Sequence, residues 1–242
     1  MRRPRSTAPL CVWLMTIGLA CTRSPGPAVN SAGDVCKTGK LQSPIDLYAI
    51  ARRGDAALKF AYRPDTLRIV NNGHTVEVEH RADSELWTGE QSYRLVQYHM
   101  HSPSEHHVEG KRYPLEIHFV HRNADGMLAV VGVLVEQGEE VGREVQAVAA
   151  VWEHLPPVSG GHEELDIEVD PLDLLPASHE HYFYSGSLTT PPCTEKVRWH
   201  VLATPLRMSA EHIERFRAIY SDNARPIQRH DWCPLTHTGV AP

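Results

Sequence analysis

Apolar and polar residues alternate in short runs along most of the chain, the period-2 pattern of half-buried strands. The runs are "ALKFAY", "TLRIVNN", "HTVEVEH", "YRLVQYHMH", "YPLEIHFVH", "MLAVVGVLVE" and "KVRWHVLATPL". Turn pairs interrupt them, among them Pro64-Asp65, Asn72-Gly73 and Asp125-Gly126. Two segments follow a helical period instead. From Glu139 to Leu155, Val141, Val145, Val148, Trp152 and Leu155 recur at steps of three and four. From Ser209 to Tyr220, Ile213, Phe216 and Ile219 do the same, with Ser209 as an N-cap. Strands and helices do not alternate, which argues against a doubly wound parallel sheet and predicts a mostly β domain with short helices.

Composition narrows the picture. The 242 residues are 41% apolar and 22% charged, enough for a core and too balanced for global disorder. The formal charge of -6 argues against a nucleic-acid partner, which calls for clustered Lys and Arg. No apolar run reaches the length of a membrane span. The start of the chain follows other rules. Arg2, Arg3 and Arg5 precede an apolar stretch from Leu10 to Ala20, the layout of a secretory signal, so residues 1–20 are set aside from the fold. Losing those arginines takes the formal charge from -6 to -9. Ala20-Cys21 resembles a lipoprotein cleavage site, although Gly18 stands where Leu is usual. The polar stretch behind it reads as a tether over residues 21–35, ahead of a domain over 36–242. The expectation is an exported, periplasmic protein, attached to a membrane through a lipidated Cys21. Cys36, Cys193 and Cys233 then remain, and in an oxidising compartment two of the three should pair; spacing alone does not say which.

Sixteen histidines leave room for chemistry. In "QYHMH", strand alternation puts Gln97, His99 and His101 on one face, with Tyr98 and Met100 on the other. In "LEIHFVH", Glu116, His118 and Val120 share a face, while Ile117, Phe119 and His121 turn away. If those faces align, three imidazoles converge, as a catalytic zinc site with one open position requires. Gln97 and Glu116, each two residues before a histidine, can fix its tautomer by accepting its second N–H. A lone His-x-His is weak evidence; a third strand histidine and two polar escorts strengthen it. The cupin spacing is met by His99, His101 and Glu105 but fails around His118, which lacks the Pro-x-Gly before it and has Arg122 in place of Asn after it. No Gly-x-Ser-x-Gly elbow supports a serine esterase.

Longer motifs make the pattern specific. "QSPIDL", "NNGHTVEV", "SPSEHHVEG", "GSLTTPPCTE" and "NARPIQ", in that order around the histidines, resemble the α-class carbonic anhydrases in their bacterial exported form, from about Cys36 to Gln228. The resemblance implies a single domain with a central, twisted, largely antiparallel sheet and a conical site at its middle. It implies Zn2+ on His99, His101 and His118, lowering the pKa of a bound water to about 7 so that hydroxide attacks carbon dioxide and gives bicarbonate. Thr189 would take the hydroxide's hydrogen bond and donate its own to Glu105, and His74 would relay the released proton to buffer. Val120, Val130, Leu188, Thr190, Val197 and Trp199 match the substrate pocket. Gln97, Glu116 and the carbonyl of Asn223 match the supports of His99, His118 and His101. Cys36–Cys193 matches the disulfide of exported members, leaving Cys233 free. Two departures stand out. The longer, aromatic-rich opening of many members, with its active-site tyrosine, has no counterpart before "QSPIDL". Glu77 stands where a neutral amide is frequent, and its charge beside His74 should shift the pH–rate profile upward relative to Glu77→Gln. A non-catalytic relative kept for binding, or a zinc-sequestering lipoprotein, is the competing reading. The missing opening favours the first, but the presence of His99, His101, His118, Thr189, Glu105 and His74 argues against it; the second has no use for the Thr189–Glu105 pair.

Overall fold

Alternation becomes strand pairing along most of the chain. The computed structural model of the protein describes residues 32–48, 57–139, 144–229 and 236–238. The expected signal segment, Cys21 and Cys233 lie outside them. Strands β1 (Asp46–Leu47), β2 (Leu58–Ala61), β3 (Asp65–Asn71), β4 (Val76–Glu79) and β5 (Glu85–Thr88) come first, behind helix α1 (Ala32–Thr38). Then follow β6 (Gln91–His101), β7 (His107–Val108), β8 (Lys111–Arg112), β9 (Leu115–Arg122) and β10 (Leu128–Gln137). After helix α2 (Glu144–Trp152) come β11 (His162–Val169), a 3-10 turn at Pro171–Leu174, β12 (His181–Ser187) and β13 (Glu195–Met208). Helix α3 (Ala210–Arg217) and β14 (Thr236–Thr238) complete the described elements.

Eleven strands form one sheet, ordered β11-β3-β4-β6-β9-β10-β13-β12-β14, with β5 on β6 and β2 on β5. Its pairings are antiparallel except β10 with β13. The expected β-dominated, largely antiparallel sheet is therefore observed. One face packs on α2 and α3. Tyr98, Met100, Ile117, Phe119, Val131 and Val133 meet Val148, Trp152, Ile213 and Phe216 in the main apolar layer. Each such buried side chain contributes roughly 1.5–3 kcal/mol. The other face carries a smaller cluster around Val130, Tyr184, Val197 and Trp199, and beside it the site.

Register sets the geometry of that second face. Partners fall in rows: Glu77, His99, His118, Gly132, then Glu79, Gln97, Val120, Val130, Trp199, and finally Arg94, Arg122, Leu128. Along β9 the rows are two residues apart, but on β6 the step from Gln97 to Arg94 is three, because Val96 is an extra, bulged residue. The bulge shifts the phase of alternation: Tyr93 and Leu95 face the apolar layer before it, Tyr98 and Met100 after it. It thereby turns Gln97, His99 and His101 to the site.

The helices are shorter than the sequence pattern predicts. Helix α2 starts at Glu144 rather than Glu139, since β10 runs on to Gln137; Val141 lies outside the described residues. Val145, in the first turn, is exposed, whereas Ala147, Val148, Val151 and Trp152 are buried. Helix α3 starts behind Ser209, whose hydroxyl accepts the His212 N–H, and ends at Arg217. Helix α1 begins inside the segment read as a tether. Cys36 of that helix is bonded to Cys193 in the β12–β13 loop, a separation of 157 residues. Closing a loop of that size contributes roughly 5 kcal/mol in the chain-entropy account.

Candidate metal centre

His99 and His101 on β6 and His118 on β9 share one face, with His99 directly opposite His118. Their ring centroids lie 5.0, 5.2 and 4.7 Å apart, and one nitrogen from each falls within 4.8 Å of the others. Each ring has its remaining nitrogen held. His99 Nδ1 donates to Gln97 Oε1 (2.9 Å), His101 Nδ1 to the Asn223 carbonyl (3.2 Å), and His118 Nε2 to Glu116 Oε1 (2.9 Å). That leaves Nε2 of His99, Nε2 of His101 and Nδ1 of His118 for a shared partner. The His101 Nε2 is buried and has no hydrogen bond among the described residues, a cost that a metal bond would remove. Three imidazole donors, each oriented by an oxygen acceptor, fit a zinc-type ion. Burial, then the neighbouring rings, push His99 well below the ordinary imidazole range, and burial lowers His101, so both stand neutral and ready to ligate. Burial also acts against the charged form of His118, but the Glu116 carboxylate outweighs it and raises that ring.

Glu116 is the anchor of the centre. Fully buried, its carboxylate accepts four hydrogen bonds: His118 Nε2, His106 Nδ1 (2.7 Å), and the backbone N–H of Glu105 (2.9 Å) and His106 (2.8 Å). Burial alone would raise its pKa, yet the His106 and His118 rings hold it well below the carboxylate range. His106 is fixed in turn by the Tyr184 hydroxyl (2.7 Å), which donates to Ser43 Oγ (2.8 Å). Gly132 makes the room: a Cβ there would stand 2.9 Å from Glu116 Oε1. The sequence reading missed His106, Tyr184, Ser43 and Gly132. Only the glycine had a signal, since glycine within an apolar strand marks a close approach.

Glu105 lies over the imidazoles, 3.9 Å from His118 Nδ1. Its Oε1 accepts the Arg225 N–H (2.8 Å), and its buried Oε2 has no hydrogen bond among the described residues. No bond joins it to Thr189, so the expected relay is not closed in this structure. The Arg225 guanidinium reaches the carbonyls of Ser43 (2.6 Å) and Cys36 (2.9 Å) and Oε1 of Gln42 (3.1 Å), tying the first residues of the domain to Glu105. Arg225 was also missed, its partners being remote in sequence. Asn223 closes the rim: besides its carbonyl on His101, its Nδ2 donates to the His74 carbonyl (3.0 Å).

A cavity of about 190 Å³ opens above His99 and His118. Gln97, Val120, Val130, Leu188, Thr189, Thr190 and Trp199 line it, together with Arg122 and Leu128, which the sequence reading did not single out. Leu128 was findable, standing two residues before Val130 on the same face. Val197 does not line this cavity but packs behind it, in the cluster with Val130 and Trp199. An adjoining cleft of about 220 Å³ holds His74 and Glu77 beside His99 and Thr190. His74 is exposed on the β3–β4 turn, where Gly73 takes a positive φ of 87° and Asn72 Oδ1 accepts the N–H groups of His74 and Thr75, both at 2.9 Å. Burial, then Glu79, raise the Glu77 carboxyl.

A three-histidine centre on a largely antiparallel sheet, walled by apolar side chains, defines a class of metal-dependent protein, and comparison with known proteins narrows it. The model of the eukaryotic-type carbonic anhydrases matches residues 29–233. A carbonic anhydrase of Pectobacterium atrosepticum is 38% identical over 195 residues, spanning 80% of this chain and 78% of that protein. One from a Nostoc species is 38% identical over 200 residues, 80% of this chain and 74% of that protein. Among solved structures, the α-carbonic anhydrase of Thermovibrio ammonificans in complex with the inhibitor sulfanilamide superposes with a TM-score of 0.79 at 39% identity. That match covers 85% of this chain and 90% of the other. The chain belongs to the eukaryotic-type, or α, carbonic anhydrase family.

Proposed function

We propose that the chain is a lyase, a carbonate dehydratase, catalysing the reversible hydration of carbon dioxide to bicarbonate and a proton, with Zn2+ on His99, His101 and His118. The observation that carries this reading is the convergence of three imidazole nitrogens, each ring fixed from behind, at the floor of a small, largely apolar cavity. Bound zinc supplies a nucleophile at neutral pH by lowering the pKa of a water it holds.

The protein's own residues do the rest. Gln97, Glu116 and the Asn223 carbonyl hold the three rings, so no reorganisation is needed at the reacting centre. Glu105 offers its buried Oε2, unpaired among the described residues, as an acceptor, and the role of Thr189 is to donate its hydroxyl there. The pair then fixes which way the nucleophile's lone pair points. Val120, Val130, Leu188 and Trp199 exclude water and give an uncharged, linear substrate an apolar seat. His74, exposed at the mouth, takes up the released proton and passes it to buffer.

The Cys36–Cys193 disulfide supports an exported location. A signal over residues 1–20 and a membrane anchor on Cys21 complete the proposal. Cys21→Ala should move the protein from the membrane to the soluble fraction of expressing cells.

The deciding experiment is stopped-flow carbon dioxide hydration on the purified chain, before and after zinc removal and re-addition. Activity should disappear with the metal and return with it. A folded protein that holds one zinc per chain without turning over would sink the reading.

A further inference from the structure

We infer that Arg122 is an anion-reading residue at the mouth of the cavity, holding bicarbonate as it enters and leaves; this rests on the activity proposed above. Of the side chains lining the cavity, Arg122 alone carries a full charge at neutral pH apart from the histidines. It sits on the site face two residues beyond Val120, itself two beyond His118, so about 13 Å of strand separates it from the metal centre. It stands where the apolar wall meets solvent, and its side chain is exposed.

Its surroundings break a local rule. Directly opposite, on β6, is Arg94, and like charges facing each other across a strand pair are destabilising. Arg94 has relief: Glu85 faces it from β5, and its guanidinium donates to the Arg81 carbonyl (2.8 Å). Arg122 has Leu128 on its other side, and its guanidinium makes no hydrogen bond or ion pair among the described residues. A chain with a formal charge of -6 therefore leaves an unneutralised guanidinium on the wall of this cavity. Such a breach without structural compensation is expected at a functional position.

The chemistry selects the ligand. A guanidinium is a rigid planar fork that pairs bidentately with a planar oxyanion. Carbon dioxide is uncharged and indifferent to it, whereas bicarbonate is planar and anionic. Arg122 thus distinguishes the two sides of the reaction. The solution equilibrium between them fixes the ratio of kcat/KM in the two directions, so the residue cannot change that ratio. Its effect falls on how readily bicarbonate saturates the site, in KM for dehydration and in product inhibition of hydration.

The test compares the full chain with Arg122→Met and Arg122→Lys, reading bicarbonate as an inhibitor of carbon dioxide hydration. Removing a solvent-screened charge at this range should raise Ki about two- to fivefold. That rise should exceed any fall in kcat/KM for carbon dioxide, and lysine, which keeps the charge but not the fork, should restore only part of the affinity. Independently, the Nε–H resonance of Arg122 in nitrogen-15-labelled wild type should move as bicarbonate is added. An unchanged Ki in Arg122→Met, or no rescue by lysine, would overturn the inference, as would a resonance that stays still. Absence of hydration by the wild type would instead defeat the proposed activity, while the resonance titration still reports on the anion.

Discussion

His118 and His121 sit three residues apart on the same strand, both buried, and do opposite things. His121 faces the apolar layer and spends both nitrogens on the protein: Nε2 meets the Tyr62 hydroxyl (2.5 Å) and Nδ1 donates to the Ala129 carbonyl (3.2 Å). Burial pushes its pKa down to about 3. His118 faces the site, gives one nitrogen to Glu116 and turns the other toward His99 and His101. The contrast lies in nitrogen accounting, since depth of burial is the same. A structural histidine is satisfied twice, a ligand histidine once, and its open nitrogen points at others like it.

Alanine at each position should expose that difference most sharply. His118→Ala is expected to lose stoichiometric zinc and to cut hydration on the order of a thousandfold with the fold intact, read by metal analysis and stopped flow. His121→Ala should keep its zinc and lose roughly 2–4 kcal/mol of stability in urea unfolding, from the cavity and the stranded Tyr62 hydroxyl. If both variants lose metal equally, the contrast is wrong.

Next in size, Thr189→Ala should lower kcat/KM about a hundredfold while zinc content stays at one per chain, because the hydroxyl orients the reaction without touching the metal. Glu116→Gln should weaken zinc binding about ten- to a hundredfold in a chelator competition. An amide cannot accept all four hydrogen bonds, so a stability loss should accompany it.

The last effect concerns acid. His121 binds its proton near pH 3 when folded and near 6.5 when unfolded. The unfolded state therefore holds more protons between those values. The associated stability is complete above about pH 6.5 and is lost as pH falls toward 3, by up to about 1.4 kcal/mol per unit. In His121→Gln, where an amide can serve both Tyr62 and Ala129, the acid slope of unfolding free energy should flatten by nearly one proton. An unchanged slope would mean that other groups carry it.

Much of this was legible in the sequence because it is local. Alternation placed β6, β9 and β10, and put His99, His101 and His118 on converging faces. Motif order then supplied the disulfide and the roles of Thr189, Glu105 and His74 as expectations. What escaped was long-range or shape-dependent. Strands β5, β11 and β12 are short or weakly patterned; in "HEELDIEV" acidic residues dominate an edge strand. His106 acts only because the chain folds Tyr184 onto one side of it and Glu116 onto the other. Arg225 reads as an ordinary surface cation until the first residues of the domain arrive to receive it. Arg122 sat in plain view, and only the cavity gives it meaning.

Pairing Val96 in regular alternation, with no bulge, would remove no ligand, yet it would send His99 and His101 into the apolar layer and bring Tyr98 and Met100 to the cleft. A centre of this kind therefore cannot be transplanted as a set of side chains alone; the graft must also copy which residue is left out of the pairing. A reading frame runs through the strand, much as one runs through a message. Val96, exposed and outside that frame, can be exchanged freely by descendants of this chain, whereas Leu95, buried in the apolar layer, cannot.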